Sequence, residues 1–488
     1  MDKGLLRNVA INFCGLVLPT FVSLVTVPAY IRVLGVERYG VVSLVWTLIG
    51  YFGVLDLGMS MAAQNHISKA LASGDARQGA QVFWSACWLN LATGVAGGVL
   101  IYAGAFVYTA SFSSLPAGLR HEVYGALPWL ACAIPLANVS WVFAGAINGA
   151  ERFGVFNTNQ TIGTFLFQLL PLGAAWLVAP TLPVVLAAAV GARLIAALLL
   201  GVASLRVLGI RRVERPRLGV AKGLFSFGGW MLIASTAGTI ADTLDRVMLG
   251  AALGARYVTY YTVPQNLVTR LNMLPNALVR TLFPRLSALG REHADALARQ
   301  SLECLNAAFT PVAIVAVFAL EPFLAVWVGR DLATLSGPVG RLLVISVWLV
   351  GQASVTRILI QAQVNPARAA LVGLVELPFF IAALAYGIHA FGLTGAAVVV
   401  AGRALLDYLA LLYLSAIRMR SIVLDMAAHL AFLLASLYLA PALPGIPAAA
   451  IGCAAVAAAN LAWSFTTTPG LRAWARAVLG RLHSRKSA

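Results

Sequence analysis

Apolar segments of about 20 residues follow one another from end to end of this chain, each long enough to cross a hydrocarbon core of about 30 Å as a helix. Backbone N–H and C=O groups cannot stay unpaired in lipid, so spanning segments must be helices or barrel strands. Barrel strands alternate in hydropathy over about ten residues, whereas these segments are longer and continuously apolar. Because 60% of the residues are hydrophobic and only 10% are charged, the sequence predicts an all-α polytopic membrane protein.

The pattern predicts about fourteen transmembrane helices. Their approximate bounds are 8–31, 40–62, 80–108, 123–147, 156–178, 182–205, 227–250, 257–282, 302–328, 339–361, 369–390, 393–416, 426–443 and 446–466. If the N-terminus is cytoplasmic, most of the 34 lysines and arginines fall in cytoplasmic segments. By the positive-inside rule, this distribution predicts that both termini are cytoplasmic.

The net charge of +17 follows mostly from this bias, so we expect anionic membrane lipids as partners and no nucleic acid. No predicted loop exceeds about 20 residues, which leaves no room for a soluble catalytic domain. The chain has no GxxxxGK[ST], HExxH or GxSxG motif. All five cysteines lie in predicted spans without a CxxC pair. We therefore predict no enzyme, no metal and no cofactor, beyond a coupling H⁺ or Na⁺.

The chain divides into two blocks of six predicted helices, followed by two extra helices. The predicted parts are an N-terminal six-helix bundle 1–205, a basic cytoplasmic linker 206–225, a C-terminal six-helix bundle 226–420, two helices within 421–468 and a basic amphipathic tail 469–488. Two short connections resemble each other: Gly35 precedes Arg38-Tyr39, and Gly254 precedes Arg256-Tyr257. In both, a glycine turn is followed by an Arg-Tyr pair that we expect to anchor at the outer membrane interface. Short outer loops can also converge on such residues without duplication.

Short motifs along nearly the whole chain resemble those of the polysaccharide (O-antigen-type) flippases in the multidrug/oligosaccharidyl-lipid/polysaccharide (MOP) exporter superfamily. The matching positions are Asn8, Asn12, Pro28, Arg32, Leu34-Gly35, Tyr39-Gly40, Asp56-Leu57-Gly58, Asn148 to Phe153, Asp245-Arg246, Gly250, Gly254, Tyr257, Tyr260-Tyr261, Pro284 and Asn365-Pro366. The resemblance implies two six-helix bundles around a central cavity that opens alternately to each side of the membrane.

The eighth predicted span carries a polar stripe at helical spacing. Its members are Thr262, Asn266, Thr269, Asn276 and Arg280, with Gln265, Arg270 and Asn272 beside it. Such a helix is expected to line water, although a polar seam between two helices would give the same pattern. Pro264 and Pro275 interrupt the backbone ladder and indicate a bend or gate.

Arg193, Arg270 and Arg357 lie in predicted spans without an acidic residue one helical turn away. A charge in mid-span costs about 2.5–3.5 kcal/mol on insertion scales, and a guanidinium is always charged and suited to phosphate oxygens. We therefore predict that these arginines, with Asn266, Thr269, Asn276 and Arg280 of the stripe, bind substrate. The alternative is that each arginine snorkels or pairs with an acid on another helix.

Other intramembrane charges have candidate partners or candidate roles. Two spans carry charges that are spaced for pairing within a helix: Asp242, Asp245 and Arg246 in one, and Arg403 and Asp407 in the other. Such pairs are equally consistent with a structural role and with a role in transport. Glu376 is an isolated carboxyl among apolar residues and is the first candidate for carrying a coupling ion. Asp56 is the second, although an Asp-Leu-Gly helix end accounts for it as well.

Taken with the resemblance, these residues predict a flippase of the bacterial inner membrane for an undecaprenyl-pyrophosphate-linked oligosaccharide repeat unit. The glycan polymerase machinery is an expected partner. Three alternatives stay open: a multidrug/cation antiporter of the same superfamily, a peptidoglycan-precursor flippase, and a membrane-embedded polysaccharide polymerase. The antiporter would favour unpaired acids over unpaired arginines in its cavity, and the polymerase would carry a large outer loop.

Overall fold

The computed structural model describes residues 21–51, 59–73, 75–112, 115–210, 212–214, 219, 243–364, 366–415, 419–443, 445–467 and 472. These residues are helical apart from short connections, and none of them is in a strand. Among them, eight helices are long and apolar enough to cross a membrane. The chain is therefore an all-helical, multi-pass membrane protein, as its hydropathy predicts. The chain forms two compact units, Met1–Thr259 and Tyr260–Ala488.

The first unit contains helices α1 to α8. Their described bounds are α1 Phe21–Leu34, α2 Val36–Tyr51, α3 Met59–Ala72, α4 Ala76–Val107 with a π-helical turn Tyr108–Phe112, α5 Ala117–Gly149, α6 Phe153–Leu177, α7 Leu182–Leu208 and α8 at 243–252. Helix α9, Ala255–Val268, begins in this unit and ends in the next one.

The second unit continues with a 3₁₀ turn and helices α10 to α15. Their bounds are the turn Thr269–Asn272, α10 Met273–Ala288, α11 Arg291–Trp327, α12 Arg330–Gln363, α13 Pro366–Ser415, α14 Met419–Ala442 and α15 Gly445–Thr467. Where their residues are described, the predicted spans are helical except at the end residues Val178, Val328 and Leu443. A 3₁₀ turn, Thr269–Asn272, lies between Pro264 and Pro275, and the predicted bend or gate stays a prediction. The division into six-helix halves stays a prediction, and the tail 469–488 lies almost wholly outside the described residues.

Glycines with positive φ make the sharp connections. Gly392 (φ +60°) breaks α13 into two arms, 366–391 and 393–415, which correspond to two separate predicted spans. Gly35 (φ +82°) and Gly254 (φ +97°) separate α1 from α2 and α8 from α9, so the two similar connections share a backbone conformation that suits glycine. One expectation was wrong: Tyr39 is 1% exposed and packs in the core of the first unit, whereas an interfacial anchor would be partly exposed.

An ion pair and a close glycine contact tie the helices of the first unit together. Arg38 on α2 donates three hydrogen bonds to Glu122 on α5, the shortest at 2.6 Å. The same carboxylate accepts from the backbone N–H of Leu182 at the start of α7. Gly40 on α2 lies directly against the backbone of α9. A Cβ atom at Gly40 would overlap the carbonyl of Ala255.

We expect Gly40→Ala to destabilise the protein by about 1–3 kcal/mol, because α2 and α9 would have to separate to admit the methyl group. The measurement is the unfolding temperature of the purified protein in detergent. Gly104→Ala is the matched control, since a Cβ atom there meets nothing within 4 Å. Equal unfolding temperatures for the two variants would contradict the close contact.

Candidate substrate-binding site

Arg193 lies on α7 beside a cluster of aromatic rings in the first unit. Its guanidinium carbon lies 4.8 Å from the centre of the Phe167 ring. The Trp46 ring is 5.7 Å from Phe167 and 5.0 Å from Tyr30, measured between ring centres. A cation over an aromatic face is attracted by the ring quadrupole, so Phe167 on α6 holds the guanidinium in place.

Two buried N–H donors border one small cavity in this cluster. Arg193 Nε and Trp46 Nε1 are buried, and neither donates a hydrogen bond within the described part of the chain. Both residues line a cavity of about 10 Å³, which is room for one water-sized group. Leaving a buried donor unpaired costs about 1–3 kcal/mol, so an acceptor oxygen that reached either donor would be favoured. Sequence analysis identified Arg193 and missed Trp46, because an indole in an apolar run resembles a packing residue.

The polar stripe of the eighth predicted span lies along α9, the 3₁₀ turn and α10. Thr262 is buried, whereas Asn266, Thr269, Asn276 and Arg280 are exposed, as is Arg270 beside them. Neither Arg270 nor Arg280 forms an ion pair with any described residue. An exposed stripe is compatible with contact to water, and its role in binding substrate stays a prediction.

The charges on α12 and α13 pair differently from the expectation. Asp407 accepts from Arg357 on α12 at 2.7 Å, and Arg403 lies 3.8 Å from Glu376 on the other arm of α13. The expected pairing of Arg403 with Asp407 was therefore wrong, because Asp407 binds Arg357 on α12 and Arg403 faces Glu376 on the other arm of α13. Arg357 is therefore paired in this structure. This is the alternative stated above, in which an intramembrane arginine pairs with an acid on another helix.

The remaining predicted charges lie partly outside the described residues. Asp56 and Asp242 are outside them. Asp245 accepts a hydrogen bond from the backbone N–H of Arg246 at 2.8 Å, and the Arg246 guanidinium donates to the Thr47 hydroxyl on α2. Arg246 thus connects α8 with α2 inside the first unit.

A further buried polar cluster joins α11, α14 and α15. His429 is 0% exposed, and its Nδ1 lies 2.8 Å from Asn460 Nδ2 on α15. Asp425, one turn earlier on α14, accepts from Asn306 on α11 at 2.8 Å. Sequence analysis missed this cluster, although the Asp425–His429 spacing of four residues in an apolar span was a usable signal.

Comparison with known proteins defines the class. The fold is similar to an inward-facing multidrug resistance MATE family transporter of the MOP superfamily, with a TM-score of 0.70 at 13% identity, covering 83% of this chain and 95% of that one. It is also similar to the lipid II flippase MurJ, with a TM-score of 0.69 at 12% identity, covering 92% and 98%. The protein thus has the fold of the helical transporters of the MOP superfamily.

Sequence comparison then gives the family. The family model described as polysaccharide biosynthesis protein matches residues 5–290, and the chain belongs to that family. A relative from Shigella flexneri, an inferred O-antigen transporter, is 26% identical over 423 residues, covering 84% of this chain and 97% of the relative. The similar proteins are described as transporters and a flippase, and the chain shares their fold.

Proposed function

We propose that this protein is a flippase that moves a polyprenyl-pyrophosphate-linked oligosaccharide repeat unit across the bacterial inner membrane by alternating access. The observation that carries the proposal is the pair of unfilled donors, Arg193 Nε and Trp46 Nε1, inside a membrane-spanning unit. In a chain of the polysaccharide biosynthesis family, a phosphate or sugar oxygen is the acceptor that suits them.

The physical task explains why such donors would be needed. Each sugar hydroxyl stripped of water without a partner costs several kcal/mol, and an unpaired phosphate charge costs far more. Fixed N–H donors within the helices replace the lost water, while the prenyl chain stays in lipid. The exposed stripe with Asn266, Thr269 and Asn276 would supply further polar contacts to sugar or water.

We propose that an H⁺ or Na⁺ gradient drives the cycle, with Glu376 and Asp56 as candidate carriers and both termini in the cytoplasm. One elementary charge crossing 100 mV gains about 2.3 kcal/mol, which is enough to bias a two-state transporter. Delivery of the repeat unit to a polymerase at the outer face would complete the pathway for the glycan.

Deleting the gene tests the function directly. We expect lipid-linked repeat units to accumulate on the cytoplasmic face, where a membrane-impermeant glycan-labelling reagent added from outside does not reach them. The control is the deletion strain carrying the gene on a plasmid, in which labelling from outside should return. Units that reach the outer face but stay unpolymerised would indicate a polymerase. Normal surface glycan without accumulation would favour a drug antiporter, whose fold is similar.

A further inference from the structure

Glu376 on the first arm of α13 and Arg403 on the second form an ion pair without a hydrogen bond between them. The Arg403 Nε to Glu376 Oε2 distance is 3.8 Å, beyond the range of a hydrogen bond. Both atoms are buried, and neither has a hydrogen-bond partner within the described residues. The neighbouring Arg357–Asp407 pair, in contrast, is a direct hydrogen bond of 2.7 Å.

The position of the Arg403 guanidinium is fixed by an aromatic ring. Its guanidinium carbon lies 4.8 Å from the centre of the Phe380 ring, and Phe380 is one helical turn from Glu376 on the same arm. The ring holds the cation by its π face and takes none of its N–H donors. Arg403 therefore keeps a planar fork of donors that its nearest carboxylate does not fill.

Both side chains are partly exposed, although the two atoms that face each other are buried. The Arg403 side chain is 24% exposed and the Glu376 side chain is 16% exposed. Asp407, one turn from Arg403, already accepts from Arg357, so Glu376 is the acid within ion-pair distance of Arg403 among the described residues. An incoming anion would meet Glu376 as the carboxylate that no hydrogen bond holds, with the Asp407 carboxylate nearby held by Arg357.

We propose that Arg403 binds a phosphate group of the substrate, and that Glu376 is the internal anion which that phosphate displaces. This inference rests on the proposed function, which supplies the pyrophosphate. A phosphate can take two parallel N–H bonds from a guanidinium, which is stronger than the 3.8 Å contact that it replaces. Displacement leaves Glu376 without its closest counter-charge, with Arg357 the remaining cation near it, and so favours the coupling cation at Glu376; anion binding and cation binding therefore favour each other.

The test is calorimetric binding of geranyl pyrophosphate, a short prenyl diphosphate, to the purified full-length protein in detergent. We expect R403Q to weaken binding at least about tenfold, because it removes a charge-assisted bidentate contact. R403K should weaken it less, because it keeps the charge but loses the fork. E376Q should tighten binding about three- to tenfold, because the internal competitor is gone while the side-chain shape is kept.

Controls separate binding from folding. R299Q removes the arginine of the surface pair Arg299–Glu303 on α11 and should leave binding unchanged. The double variant R403Q/E376Q has no uncompensated buried acid, so it should fold well and bind as weakly as R403Q. Inorganic pyrophosphate should show the same order of variants, because the site recognises the anion and not the prenyl chain.

Three results would overturn the inference: wild-type binding in R403Q, weakened binding in E376Q, or no binding of the probe by the wild-type protein. None of these affects the proposed function if the gene still restores outward labelling of lipid-linked units in the deletion strain. If the gene has no effect on that labelling, the proposed function fails whatever the binding series shows.

Discussion

Replacing Arg193 with Ala is expected to reduce translocation of the lipid-linked repeat unit at least about tenfold. A hydrogen bond from a charged donor contributes about 1.5–3 kcal/mol, and about 1.4 kcal/mol corresponds to a factor of ten. Arg193→Lys should retain partial activity, because the charge stays while the planar fork held over Phe167 is lost. Trp46→Phe should give an intermediate loss, because the ring stays and only the Nε1 donor is removed.

The measurement is the initial rate at which labelled repeat units reach the outer face in the deletion strain that carries each variant. Arg206→Ala is the matched control, because Arg206 is an exposed arginine in the last turn of the same helix. Expression level and gel-filtration profile of each variant exclude misfolding as the cause. A rate for Arg193→Ala equal to that of Arg206→Ala would show that Arg193 does not contact substrate.

Replacing Arg357 with Leu is expected to destabilise the second unit by about 1–3 kcal/mol, because it leaves the Asp407 carboxylate uncompensated in the interior. The Asp407 side chain is 12% exposed, and its hydrogen bond with Arg357 is 2.7 Å long. Breaking a fully buried ion pair costs about 3–5 kcal/mol. We expect the smaller cost of about 1–3 kcal/mol here, because the Arg357 side chain is 38% exposed and solvent screens part of the interaction.

The double variant Arg357→Leu/Asp407→Leu should recover most of the lost stability, since it leaves no unpaired charge. The measurement is the temperature at which half of the purified protein loses its monodisperse elution. Arg299→Leu, in the exposed pair on α11, should cost only about 0.3–0.5 kcal/mol. If Arg357→Leu is as stable as the wild type but does not translocate, Arg357 binds substrate, as its sequence context predicts.

The three intramembrane arginines show how far sequence reasoning reached into the candidate site. All three look alike in sequence, because each lacks an acid one helical turn away. In the structure they differ. Arg193 lies over Phe167, Arg270 is exposed in the 3₁₀ turn, and Arg357 pairs with Asp407, 50 residues away. A contact between residues 50 positions apart leaves no local pattern, so the sequence could not show which of the three arginines lacks an acidic partner.

Arg403 shows the converse limitation. Its spacing from Asp407 predicts a pair within one helix, yet it faces Glu376, 27 residues earlier and beyond the break at Gly392. The break itself was predictable, since two apolar spans flank it. The sequence could not predict which faces of the two arms pack together, because their packing depends on the close approach of Gly387 and Gly395.

The sequence by itself determined the membrane class, the helical state and the positions of most helices, because hydropathy and backbone hydrogen bonding in lipid are local properties of each segment. It also indicated the superfamily, through short motifs along the chain. Only the tertiary structure decided which charges are paired, which donors are left unfilled beside Trp46, and that Tyr39 is a core residue. Those outcomes depend on contacts between residues that are far apart in the chain, and the physical reason is that burial and pairing energies are set by whichever helix lies opposite.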